Sequence, residues 1–68
     1  MILFKDRLKE LRKEASLSQA ELSKMLCVPV STYANWEQGR REPSLYDIYN
    51  ILKCLNIKGS DLFDTDDL

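Results

Sequence analysis

The 68-residue chain has no histidine, two cysteines, two prolines and two glycines. The cysteines, Cys27 and Cys54, lack the close spacing of metal ligands and are too few for the disulfide framework of a secreted domain. They read as reduced thiols of a cytoplasmic protein. Apolar residues never run together for the ~20 positions that cross a bilayer. Charge begins at Lys5, too early for a signal peptide. No Gly-rich phosphate loop is present. A core of this size leaves no room beside it for a ~300 Å³ active-site pocket. These absences exclude an enzyme, and with it a metal centre, a cofactor, a small-molecule ligand and a membrane role.

What remains is a single domain over residues 1–68, 44% hydrophobic and 31% charged, which is globular rather than disordered. The net charge of −1 argues weakly against a nucleic-acid partner, but it is an average over two unlike parts. Residues 60–68, "SDLFDTDDL", hold four Asp and no base, so residues 1–59, with ten Lys or Arg and seven Asp or Glu, carry +3. Five of the ten bases lie between Lys5 and Lys13. The chain is a mildly basic body with an acidic tail, about residues 64–68.

Helical periodicity runs through the body, with no convincing alternation of the strand kind. Phe4, Leu8, Leu11 and Ala15 mark one face of a helix over about 3–14. Ser18 with Glu21 forms a capping box, starting a second helix at about Gln19 with Leu22, Met25 and Leu26 on its apolar face. Pro29 is compatible only with a helix start, placing a third helix from Pro29 or Val30 to Gly39, its left-handed stop. Ser44 caps a fourth helix over about 45–55, with Leu45, Ile48, Ile51, Leu52 and Leu55 in register and Asn56 as its stop. "GSDLF" adds a short fifth turn that tucks Leu62 and Phe63 into the core. The fold class is all-α, a compact bundle of four to five short helices.

Two helices of eight or nine residues joined by about three form a helix-turn-helix, here over about 19–38. Leu22, Leu26, Val28, Tyr33 and Trp36 furnish its apolar junction, and small Ser23 sits where the helices cross. The segment "LSQAELSKMLCVPVSTYANWEQGRREPS" resembles the helix-turn-helix of the lambda repressor and Cro family. The likeness rests on Gln19, Leu22-Ser23, Val28, Ser31-Thr32, "WEQG", Pro43-Ser44 and the closing "LNIKGSDLF", and spans about residues 4–63.

The resemblance implies that the third helix enters the DNA major groove while the second crosses the phosphate backbone. It places Gln19 where the family usually contacts a phosphate and sometimes a base, Val30, Ser31 and Asn35 against bases, and Thr32, Gln38, Arg40 and Arg41 against the backbone. It makes Arg12 and Glu37 a buried structural ion pair rather than catalytic groups. Asn matches the adenine edge, Val can pack on a thymine methyl, and Ser discriminates poorly. No Arg occurs in "VPVSTYANWEQ" for a bidentate guanine contact, so an A/T-leaning half-site follows, with charge supplied by Arg40, Arg41, Lys9 and Lys13. Tyr33 and Trp36 are core residues, with the Tyr33 hydroxyl emerging at the surface.

Two departures from the family pattern carry a cost. Cys27 stands at a turn position that is usually Gly, and Pro29 replaces a side-chain cap at roughly 1 kcal/mol. The expected function is sequence-specific binding of double-stranded DNA by a homodimer on a pseudo-palindromic operator, as a transcriptional regulator and repressor. Tyr46, Tyr49 and Ile57 are the candidates for the dimer patch. The alternative is a helix-turn-helix protein-interaction module, an antitoxin or anti-repressor, with the acidic tail as its bait.

Overall fold

The structure, a computed structural model, describes residues 3–63; the acidic tail over 64–68 lies outside them. Five helices follow one another: α1 (Phe4–Glu14), α2 (Gln19–Met25), α3 (Val30–Gln38), α4 (Leu45–Leu55) and α5 (Gly59–Leu62). The core is built from Leu8 and Leu11 of α1, Leu22 and Leu26 of α2 and its cap, Tyr33 and Trp36 of α3, Ile51 of α4 and Leu62 of α5. Each helix contributes the residues its 3.6-residue period brings to one side. The Tyr33 and Trp36 rings meet edge to face, with centroids 5.7 Å apart.

The helix starts are local chemistry. Ser18 Oγ accepts from Glu21 N–H at 3.0 Å, and Glu21 Oε1 accepts from Ser18 N–H at 2.9 Å. Ser44 and Asp47 repeat the arrangement ahead of α4, at 3.1 Å in both directions. Pro29 is the N-cap of α3 and offers it no side-chain hydrogen bond.

The helix ends share one device. A left-handed residue follows each of the first four helices: Ser16 (φ 59°), Cys27 (φ 59°), Gly39 (φ 76°) and Asn56 (φ 53°). At each, the next N–H reaches back to a carbonyl five residues earlier: Leu17 to Arg12, Val28 to Ser23, Arg40 to Asn35 and Ile57 to Leu52, all between 3.0 and 3.2 Å. This is the Schellman closure, and it lets four short helices reverse direction in very few residues. Cys27 is thus left-handed, as its place in the turn implied; Ser16 carries the same strain without a sequence signal.

Several positions depart from the sequence pattern. Ala15 is exposed because α1 has ended and the chain is turning at Ser16. Met25 is exposed on the last turn of α2, facing a surface groove. Leu45, the first residue of α4, is 85% exposed because it precedes the turn at which α4 meets the core. Phe63 is not tucked in: α5 stops at Leu62, and the Phe63 ring stacks on the flank of Phe4 with centroids 5.5 Å apart. The Tyr33 hydroxyl does not emerge; the whole side chain is buried.

Candidate nucleic-acid interface

The orientation of α3 follows from what it buries. Tyr33, Trp36 and Glu37 all point inward. At 100° per residue the opposite face then carries Ser31, Asn35 and Gln38, at i, i+4 and i+7. Ser31 and Gln38 are exposed and Asn35 is half-buried. Val30, 48% exposed, and half-buried Ala34 flank this stripe on one side, and half-buried Thr32 on the other. Ser31, Asn35 and Gln38 thus share one outward surface, whereas Val30 stands at its edge, about 140° from Asn35 around the helix axis. Ala34 carries no polar signal in the sequence, yet its methyl lies beside Val30.

Arg12 and Glu37 form the buried pair. Arg12 Nε donates to Glu37 Oε2 at 2.7 Å and Nη2 donates to Oε1 at 3.2 Å, a two-pronged contact. Arg12 Nη1 donates to the Leu17 carbonyl at 2.7 Å, and Gln19 Nε2 donates to Glu37 Oε1 at 3.0 Å. Burial pushes the Glu37 carboxyl up, but the hydrogen bonds from Arg12 and then its other neighbours outweigh burial and hold it below the ordinary carboxylate range. The hydrogen bond to Glu37 raises Arg12, against the opposing effect of burial. Burial first, and the adjacent Glu37 carboxylate next, push the Tyr33 phenol far up. Its hydroxyl lies near the pair electrostatically but makes no hydrogen bond of acceptable geometry, a buried polar atom without a partner.

The helix-turn-helix family model matches residues 8–62. That span holds all of α2, α3 and α4 and the buried pair. The chain belongs to the helix-turn-helix family of transcriptional regulators. Two uncharacterized HTH-type transcriptional regulators of Archaeoglobus fulgidus are each 36% identical to it over 61 residues, covering 90% of this chain and 86% or 87% of the relative. Among solved structures, the restriction-modification controller protein C.AhdI from Aeromonas hydrophila superposes with a TM-score of 0.83 at 35% identity, covering 88% of this chain and 91% of that one.

In this helix-turn-helix regulator the positive charge lies around the outward stripe of α3, not on it. Arg40 and Arg41 are exposed immediately after Gly39. The aliphatic stem of Lys5 lies over Gly39: a Cβ added there would meet Lys5 Cδ at 3.0 Å. The fold therefore brings Lys5 of α1 to the same end of α3 as Arg40 and Arg41, across a separation in sequence that no spacing rule reveals. Lys9 and Lys13 are exposed on α1, whereas Arg7 is tied down, donating from Nε to the Asp61 carbonyl at 2.7 Å and pairing with Glu10 at 3.0 Å. Gln19 is only half-exposed, turned toward Glu37.

A surface groove of about 460 Å³ opens between the α2–α3 turn and α4, lined by Met25, Cys27, Val28, Tyr46, Asn50 and Cys54 among others. The small core thus does leave a pocket-sized space, because short helices joined by tight turns cannot close over one another everywhere. Among the described residues no three His, Cys, Asp or Glu side chains gather as a metal set, and no helix is long and apolar enough to cross a membrane.

Proposed function

We propose that this regulator binds double-stranded DNA sequence-specifically, with α3 in the major groove and the N-terminus of α2 on the phosphate backbone. The observation that carries the reading is the outward stripe Ser31–Asn35–Gln38, backed by the buried Tyr33, Trp36 and Glu37 on the same helix. A reading helix needs this division: one face fixed in the core, the other presenting polar side chains at base-step spacing. Asn35 reads adenine, Val30 with Ala34 offers an apolar surface to thymine methyls, and Ser31 and Gln38 add permissive contacts. Arg40, Arg41 and Lys5 meet phosphates at one end of α3. At the other end α3 has no side-chain cap, and the N–H groups of Val30 and Ser31 are the ones left for the phosphate backbone, since Thr32 and Tyr33 N–H both donate to the Pro29 carbonyl.

The protein works as a homodimeric repressor on a pseudo-palindromic operator with half-sites ~34 Å apart. Leu45, Tyr46 and Tyr49 of α4 are 85%, 73% and 57% exposed, an apolar patch that suits pairing of two copies. Ile57, packed against the core, contributes less. The similarity to a restriction-modification controller supports a regulatory role. Binding to a duplex is measured as salt is raised from 50 to 200 mM. Several phosphate contacts make log K fall steeply and linearly with log salt. A folded protein that retains no duplex at low salt contradicts the DNA reading and favours the antitoxin or anti-repressor alternative.

A further inference from the structure

The buried pair has a third member whose side chain belongs to the proposed DNA face. Glu37 Oε1 accepts from Arg12 Nη2 at 3.2 Å and from Gln19 Nε2 at 3.0 Å. An ionised carboxylate only accepts, so the Gln19 amide atom turned toward it is the nitrogen. The orientation of an amide, normally ambiguous by half a turn, is fixed here by chemistry. One Gln19 N–H is committed to Glu37; the second N–H and the carbonyl remain for other partners. Gln19 is the first residue of α2, one position after the Ser18 cap, at the end that the DNA-binding reading sets against a phosphate.

We propose that Glu37 is a positioning residue for DNA contact: without facing DNA itself, it holds the Gln19 amide so that its free N–H addresses a phosphate. A flipped amide would present its carbonyl oxygen to the phosphate, where two acceptors repel. Arg12 completes the device, because its remaining nitrogen is anchored on the Leu17 carbonyl at 2.7 Å, directly before α2. The end of the reading helix, α1 and the first residue of α2 are thereby locked in one arrangement. The inference rests on the DNA-binding reading and adds to it a residue buried at 8% exposure.

Two measurements separate the inference from that reading. In the free protein at neutral pH, the Gln19 side-chain amide resonances are expected to be shifted and slow to exchange relative to those of exposed Gln38. Gln19 signals indistinguishable from those of Gln38 overturn the positioning role, whatever DNA does. On a duplex enriched from a random pool, Gln19→Ala is expected to weaken binding about tenfold, the scale of one charge-assisted hydrogen bond. The same change made in a Glu37→Met background, which offers no acceptor at this position, should have almost no further effect. Equal losses in both backgrounds contradict the proposal. Where Glu37→Met folds poorly, Gln19→Met replaces it in the comparison with wild type, since it keeps length but offers no N–H; wild-type affinity for Gln19→Met overturns the proposal. Absence of duplex binding by folded wild-type protein, with the Gln19 amide shifted, defeats the DNA reading and leaves the Glu37–Gln19 bond standing.

Discussion

Single residues here split into those that hold and those that face out, and the buried polar cluster sharpens the distinction. Arg12 and Glu37 are both 8% exposed, so removing one partner leaves a buried charge unpaired. Arg12→Met is expected to lower stability by about 3–5 kcal/mol in urea denaturation, a large part of what a domain this small possesses. The Glu37 carboxyl is held below its ordinary value of 4.5. Its contribution to stability is therefore complete above that value and is lost as pH falls through the lowered folded value. The urea midpoint should stay level near neutrality and drop in acid, and Glu37→Gln should flatten that acid limb. The Tyr33 hydroxyl is buried without a partner, so Tyr33→Phe is expected to stabilise the fold by about 1 kcal/mol, read by the same denaturation. A loss of stability would show that the hydroxyl is hydrogen-bonded after all. Tyr33 is also where sequence logic misled: its helical spacing from Trp36 placed the ring in the core correctly, but nothing in the spacing told how deep the phenol end would lie.

Among the helices, starts and stops were legible wherever a side chain makes the signal. Ser18 with Glu21 caps α2 and Ser44 caps α4 as expected, with Asp47 completing a box at Ser44, and Gly39 and Asn56 are left-handed stops. Ser16 and Cys27 adopt the same left-handed backbone with no side chain that announces it, because the demand comes from tertiary packing of successive helices. Cys27→Gly relieves a strain of about 1–2 kcal/mol while adding about 0.5–1 kcal/mol of unfolded-state entropy, so a net gain of roughly 0.5–1 kcal/mol is expected in thermal or urea unfolding. Gly39→Ala runs the other way. It is strained at φ 76° and meets the Lys5 stem, so it should destabilise by about 1 kcal/mol or more. Periodicity failed at the helix edges for a related reason. Leu45, Met25 and Ala15 keep the apolar period but sit on terminal turns or just past them, where the partner helix no longer lies opposite.

At the scale of the whole molecule, a chain of net charge −1 is assigned to a polyanion, and the distribution of charge resolves the tension. The basic residues Lys5, Arg40 and Arg41 converge at one end of the uncharged outward face of α3, while Arg7 is diverted to holding α5. The helix-turn-helix was readable from local spacing because its two helices are neighbours in sequence. The placement of Lys5 beside Gly39 and the tie between Gln19 and Glu37 were not, since each joins residues from different helices. Tyr46 and Tyr49 are both exposed, so Tyr46→Lys with Tyr49→Lys should yield a monomer in sedimentation while leaving the helical circular dichroism unchanged. If the outward face of α3 reads sequence while its surroundings supply charge, the two roles separate by mutation. Selection from a random duplex pool, run in parallel with wild type, Asn35→Ala and Arg40→Ala, tests it most directly. A palindromic, A/T-leaning motif is expected for wild type, with relaxed preference at one position per half-site for Asn35→Ala by about 1–3 kcal/mol, and an unchanged motif with uniformly weaker binding for Arg40→Ala. Identical changes in the two variants, or no enriched motif at all, would contradict it.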